Sequence, residues 1–234
     1  GTLDGRGAIA YSCNTWYYQS SIFGAGTLPY AEKLAARARE LGFGTQTGLE
    51  LSENLGLIPS PSDYQNKGLE WFNGFSLNMS IGQGDVLTTP AQMASVLSTL
   101  AKDGRKQPLT LLRKVGTQLS KPKPWVQLPG ARQNWRLVRE GMEWTVSKGT
   151  SSQLLGPKFF PVRTAGKTGT AQAPMPGLGR RAGTEHSWYE GYGPVESPNL
   201  VVVAFFENGG EGSGVALPAV RKVMAARWGV KLDA

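Results

Sequence analysis

Arg163-Thr-Ala-Gly-Lys-Thr-Gly-Thr-Ala-Gln172 is the stretch whose reading decides the fold. Small residues crowd it, threonines alternate with them, and one lysine, Lys167, sits in the middle. It is therefore expected to form a strand whose backbone lies open to something that must come close. Such a strand would be the edge of an active site. A Lys-Thr-Gly triplet by itself also fits an ordinary turn, and the surrounding chain has to decide between the two readings.

Downstream, Ala173 to Glu185 is a connection rich in Pro, Gly and Arg. His186 to Tyr192 and Asn199 to Phe206 then read as two further strands, so the three make an antiparallel meander. Val215 to Trp228 reads as a terminal helix with Pro218 early, Val220, Val223 and Met224 turned inward, and Gly229 at its end. Upstream, a helix from about Asn134 to Ser147 turns Leu137, Val138, Met142 and Val146 inward, and Gly149 and Thr150 end it. Leu28 to Leu41 is the clearest helix, with proline in its first turn, Gly42 beyond its end, and Ala31, Leu34, Ala35, Ala38 and Leu41 on one stripe. Another starts at a Thr89 cap with Pro90 in its first turn, carries Met93, Val96, Leu97 and Leu100, and stops before Gly104. Between these two helices, Phe43 to Asn78 turns repeatedly with little periodicity and reads as a long surface excursion. Lys106 to Gly130, with Lys121-Pro-Lys-Pro124, reads as a spacer or an exposed extended segment. Helices come first, then strands, then a helix, which predicts an α+β fold with a segregated antiparallel sheet covered by helices.

At 234 residues, with 40% hydrophobic and 18% charged residues, the chain is long enough for a full core and fits one domain or a large part of one. Its longest strongly apolar run, Leu200 to Phe206, falls far short of the roughly 20 residues of a membrane-spanning helix. The single cysteine, Cys13, excludes an internal disulfide. A net charge of +8 raises nucleic acid, an anionic membrane or an acidic polymer as partner, but the basic residues are scattered rather than striped with aromatics. A general basic surface is the expectation, without nucleic-acid binding.

Near the start, Ile9-Ala-Tyr-Ser-Cys-Asn-Thr-Trp-Tyr-Tyr18 is helical in character but interrupted by small polar residues that favour caps and turns. A break between two helices is expected there. Ser12 and Asn14, two apart, cannot share a helical face and would converge on one point only in a turn. The alternative makes either residue an ordinary helix cap.

Taken together, the blocks resemble a known family. Ser12-Cys-Asn-Thr-Trp-Tyr-Tyr18, Gly82-Gln-Gly84 followed by Thr89-Pro-Ala-Gln-Met-Ala94, Lys167-Thr-Gly-Thr-Ala-Gln172 and Glu207-Asn-Gly-Gly210 occur in the order and approximate spacing of the class B penicillin-binding proteins. The chain is most similar to their elongation-type members, from about Gly5 to Gly229, and Lys167-Thr168-Gly169 matches the third signature of the serine penicillin-recognising enzymes. The resemblance implies the serine β-lactamase/D,D-peptidase-like α+β fold. It also implies a D,D-transpeptidase that cross-links peptidoglycan stem peptides through an acyl-enzyme and that β-lactam antibiotics inactivate at the same serine. No cofactor and no metal are implied. By motif, Ser12 would relay a proton to or from the amine, Asn14 would hold the substrate amide and the nucleophile's lysine partner, and Lys167 would supply positive charge to the relay. Thr168 and Thr170 would present hydroxyls to the substrate carboxylate, the Thr170 N–H would be one oxyanion donor, and Gly169 would keep the strand flat enough for substrate to lie against it. Ser12, Asn14, Lys167 and Thr170 should then line one cleft, where an all-helical part meets the sheet edge.

The departure from the family pattern is the Ser-x-x-Lys nucleophile, which in this family precedes Ser-x-Asn. The sole formal match, Ser120-Lys121-Pro122-Lys123, comes after it, in a Pro-rich stretch that cannot hold serine and lysine on one helical turn. The chain is therefore expected to be the C-terminal portion of a transpeptidase domain, residues 1–234, inactive alone. The preceding part would carry the nucleophile, the membrane anchor and the link to a membrane glycosyltransferase partner, on the outer face of the cytoplasmic membrane. A serine β-lactamase or β-lactam sensor, or a non-catalytic scaffolding module of the elongation machinery, are the alternatives. Ala173 to Glu185 is expected to overhang the cleft, with Arg180 and Arg181 offering positive charge to an anionic substrate or, alternatively, serving no role in a solvated loop.

Overall fold

The structure is a computed structural model that describes residues 2–23, 26–172 and 185–232. In chain order the elements are α1 (Gly5–Ala10), α2 (Asn14–Phe23), α3 (Thr27–Leu41), α4 (Pro61–Asn66), α5 (Asn73–Ser80), α6 (Pro90–Ala101), β1 (Arg105–Lys106), β2 (Lys114–Val115), β3 (Gln118–Leu119), β4 (Val126–Gln127), α7 (Arg132–Ser147), α8 (Ser152–Leu155), β5 (Ala165–Gln172), β6 (Glu185–Gly193), β7 (Leu200–Phe206) and α9 (Ala216–Trp228). They form two compact units, one of residues 1–17 with 132–234, the other of residues 18–131.

The first unit is built on the antiparallel meander β5-β6-β7, with β5 at an edge. Its register places Lys167 opposite Glu190, Thr168 opposite Tyr189 and Gly169 opposite Trp188. Helix α9 packs on β6 and β7, and α7 packs on β5 and α1. Leu217, Val220 and Met224 of α9, spaced by three and four, bury against Tyr189, Val146, Leu155 and Phe160. Two inward expectations fail. Val223 is exposed, because the stripe through Leu217, Val220 and Met224 is completed by Ala225 rather than by its neighbour. Leu137 is also exposed: only the second half of α7, from Gly141 through Met142 to Val146, is buried.

Helix α1 starts at an Asp4 cap whose Oδ1 accepts the Gly7 N–H at 2.8 Å. Its buried face is Gly7, Ala8 and Ala10, and small residues of α7 meet it: a Cβ on Gly141 would lie 2.8 Å from Ile9 Cδ1. The helix stops where expected. Tyr11 caps it, Ser12 takes a left-handed φ of 53°, and α2 begins at Asn14.

In the second unit, α6 has a complete capping box between Thr89 and Gln92, as the Thr-Pro start predicts. Gln92 itself is buried, and its Nε2 donates 2.8 Å bonds to Thr45 O and Leu55 O, so the cap also fastens the chain on either side of Gly48. Helix α3 buries Ala31 and Ala35 with Ile58 and Met79, and packs Leu34 and Ala38 beside them. The segment 43–78 is more ordered than expected. Ser60 caps α4 with Pro61 in its first turn, α5 follows, and Tyr64, Trp71, Phe72 and Phe75 stack edge to face. Low periodicity hid these helices because each is at most eight residues long. The Pro-rich segment is extended as read, but it is paired: β1 with β4, and β2 with β3 across Gly116-Thr117, where Gly116 takes a φ of 58°.

Gly149 controls how α1 reaches the sheet. A Cβ there would lie 2.2 Å from Ala10 O and 2.8 Å from Thr145 Cα, both backbone atoms that cannot swing aside. Gly149→Ala is expected to lower the unfolding free energy by about 1–3 kcal/mol in urea titration; an unchanged midpoint would show that α1 is not seated this way.

Candidate active site

Two chain segments meet in the first unit at the end of α1 and the middle of β5. Lys167 Nζ donates to Ser12 Oγ at 2.9 Å and to Thr168 O at 2.7 Å. The serine is presented by its left-handed turn, in which Ser12 N–H bonds Ile9 O and Cys13 N–H bonds Ala8 O. A non-glycine residue in that region is uncommon and costs about 1–2 kcal/mol, which is expected only where the surroundings hold it there. Thr150 does so: its N–H bonds Ala10 O at 3.2 Å, and its Oγ1 shares a 3.0 Å hydrogen bond with Thr168 Oγ1. Thr150 thus ties the last turn of α1 to the strand that carries Lys167. Sequence reading took it only as the end of a helix.

Thr170 is fixed from the other side. Its Oγ1 accepts the Gly212 N–H at 3.2 Å, and Gly212 approaches so closely that a Cβ would lie 2.4 Å from both Gly169 O and Trp188 O. The Glu207-Asn-Gly-Gly210 block makes this approach possible. Asn208 turns back with a φ of 52°, its N–H bonding His186 Nδ1, and Gly210 N–H bonds Glu185 O. Buried Ser187 then joins the loop to α9, its hydroxyl donating to Glu211 O and accepting from Ala216 N–H.

Asn14 opens α2 in an exposed position, and among the described residues no hydrogen bond joins its side chain to Ser12 or Lys167. Of the anticipated group, the structure brings Ser12, Lys167 and Thr168 into one bonded cluster and sets Gly169 and Thr170 next along the same strand. Residues 173–184, with Arg180 and Arg181, lie outside the described residues. Ser120 lies in the other unit. Its potential partner Lys123 is taken up by Gly48 O, Leu109 O and the Glu50 carboxylate, so no serine–lysine pair forms there.

Lys167 is half-buried, and desolvation pulls its ammonium below the ordinary lysine pKa, an effect opposed by the charge of Glu190. Glu190, its cross-strand partner, is pushed up to about 7 by burial, with the lysine charge holding it back. Sequence reading missed Glu190. The only available signal was one acid in the otherwise uncharged run Ser187-Trp-Tyr-Glu-Gly-Tyr-Gly193, and its relation to Lys167 appears only with the register.

The hydrogen bond from Lys167 to Ser12 joins a Lys-Thr-Gly block to a Ser-x-Asn block, two of the motifs that mark the serine penicillin-recognising enzymes. The chain belongs to the penicillin-binding protein transpeptidase domain family, whose model matches residues 1–225. It is 28% identical over 235 residues to the peptidoglycan D,D-transpeptidase MrdA of Acinetobacter baumannii, covering 92% of this chain and 33% of the relative. Among solved structures it is similar to a chain from work on the structural coordination of polymerization and crosslinking by a peptidoglycan synthase complex. That match has 50% identity and a TM-score of 0.89, covering 100% of this chain and 39% of the other. It is also similar to PBP2 of Pseudomonas aeruginosa, solved in complex with WCK 5153, with 30% identity and a TM-score of 0.81 over 99% of this chain and 51% of that one. The fold is therefore that of penicillin-binding transpeptidase domains, and the chain spans about a third of the length of the curated relative it matches.

The left-handed turn at Ser12 separates two effects that substitutions can resolve. Ser12→Ala and Ser12→Gly both remove the hydroxyl that Lys167 holds, but only glycine relieves the backbone. Thermal or urea unfolding is expected to find the glycine variant more stable than the alanine variant by about 1 kcal/mol. Equal stabilities would mean the turn relaxes without cost.

Proposed function

We propose that residues 1–234 are the C-terminal portion of one transpeptidase domain in an elongation-type peptidoglycan D,D-transpeptidase. The enzyme cross-links stem peptides through a serine acyl-enzyme and is acylated by β-lactams. The observation that carries this reading is the 2.9 Å hydrogen bond from Lys167 Nζ to Ser12 Oγ, made between the two family blocks that should supply a proton relay.

In this reading a serine carried by the segment preceding this chain attacks the penultimate carbonyl of the donor peptide. As the acyl bond forms and the amide C–N bond breaks, the departing amine nitrogen needs a proton. Ser12 stands between Lys167 and the open side of the turn. It can pass its hydroxyl proton outward while the lysine ammonium, donating to its oxygen, stabilises the charge that develops. The reverse transfer would activate the acceptor amine in the second half-reaction. Thr168 and Thr170 offer hydroxyls to the donor carboxylate, and the edge position of β5 lets an extended peptide lie beside it, with the Thr170 N–H as an oxyanion donor. Asn14 is assigned to the substrate amide. Its exposed place at the start of α2 is compatible with reaching a ligand rather than a neighbouring side chain. No cofactor and no metal take part.

The whole protein is placed on the outer face of the cytoplasmic membrane, anchored outside this chain; among the described residues no helix is long and apolar enough to cross a membrane. A membrane glycosyltransferase is the partner this reading assigns, supported by the similarity to a chain of a peptidoglycan synthase complex.

Fluorescent penicillin tests the reading. The complete protein is expected to take a label that survives a denaturing gel, and Lys167→Ala to slow labelling by about 100- to 10,000-fold. This chain on its own is expected to take none. Label mapped to a serine of this chain, or a complete protein that no β-lactam acylates, would overturn the assignment.

A further inference from the structure

Glu190 is a half-buried acid in the middle of β6, and the proposed proton relay does not use it. It stands opposite Lys167 in the register of β5 and β6. Directly paired residues of antiparallel strands carry their side chains on the same face, with Cβ atoms roughly 4.5–5.5 Å apart. Lys167 spends two of its three ammonium protons on Ser12 Oγ and Thr168 O. It makes no direct ion pair with Glu190 among the described residues, so the carboxylate acts on it through space, in surroundings where burial weakens screening.

Among the described residues, most other charges around this strand pair are paired or turned to solvent. Strand β7 has none. Arg6 of α1 pairs with Asp4 and Glu140, and Glu143 of α7 pairs with Arg163. Arg139 of α7 is half-buried, Arg221 of α9 donates to Phe159 O, and Lys222 and Arg227 are exposed. Among the described residues, Lys167 and Glu190 are each the one charged group that perturbs the other.

We propose that Glu190 is a positioning residue for Lys167: its carboxylate is the counter-charge that keeps the lysine protonated and donating to Ser12. The proposal rests on the transpeptidase reading for its catalytic consequence, but its electrostatic core does not. Desolvation alone would strip the proton from Lys167 as pH rises, and a carboxylate on the same face opposes this. Because burial pushes the acid's own midpoint up to about 7, the counter-charge is present above neutrality and fades below it. An amide at position 190 keeps the shape and removes the charge, so the lysine midpoint must fall.

Two readouts in the complete protein test this. The Cε resonance of Lys167 in 13C-lysine-labelled protein is expected to titrate at lower pH in Glu190→Gln than in wild type, by about one unit or more. Glu190→Asp should restore most of the difference. The alkaline limb of the penicillin acylation profile should move down with it in Glu190→Gln and return in Glu190→Asp. Should the amide variant not fold, the wild type still decides: its Lys167 resonance must show a second inflection near pH 7 as Glu190 ionises. An unchanged lysine midpoint in Glu190→Gln, or a wild-type Lys167 titration without the inflection near neutrality, would overturn the proposal. A lysine shift in a protein that no penicillin acylates would support the electrostatic role while removing the transpeptidase reading.

Discussion

A single hydrogen bond, from Lys167 Nζ to Ser12 Oγ, joins residues 155 positions apart, and much of the first unit can be understood as what that bond requires. The serine must leave its helix in a left-handed turn, so the helix must be stopped and held. Small residues on both partners let α1 lie close to α7, the absent side chain of Gly149 admits the Ala10 carbonyl, and Thr150 takes up that carbonyl while sharing a hydrogen bond with Thr168. On the lysine side, the strand that carries it lies at the edge of the β5-β6-β7 meander. That edge is kept in place by its pairing with β6 and by Gly212 pressing on its carbonyls from behind.

The same constraint accounts for features that a stability argument alone would disfavour. A serine at positive φ and the half-buried lysine and carboxylate each cost free energy. They cluster around one hydrogen bond, where burial and each other's charge shift the proton affinities of the lysine and the carboxylate. Functional sites concentrate such costs because perturbed proton affinities are what the chemistry uses. The compensation lies nearby, in the apolar packing of α9 against β6 and β7, where Tyr189, Leu217, Val220 and Met224 are buried.

The second unit shows how a residue in a family block can serve architecture. Gln92 closes the capping box of α6 and uses its amide to hold Thr45 O and Leu55 O, so one buried side chain fixes a helix start and two loop strands of chain. Glu50 does similar work for the Pro-rich segment. Its carboxylate, drawn down to about 2 by the Thr110 hydroxyl, the Leu111 N–H and Lys123, binds residues far along the chain.

The sequence by itself determined the long elements and the family. Helices α3, α6, α7 and α9 carry clear caps or apolar stripes, and the three strands carry alternation or apolar runs, because these signals act over neighbouring residues and need no partner. The break at Ser12 was legible for the same local reason. Short helices α4 and α5 and the Gly116 hairpin were not, since each is too brief to show a period and is stabilised by contacts beyond itself. Which hydrophobic residues of α7 and α9 face inward was also decided by packing, as exposed Leu137 and Val223 show. Four blocks in order singled out Ser12, Asn14, Lys167, Thr168, Gly169 and Thr170, but Thr150 and Glu190 carried no signature. One is a helix-ending threonine and the other an acid in a strand. Only pairing, which depends on the register between β5 and β6 and on the seating of α1, set Thr150 against Thr168 and Glu190 against Lys167.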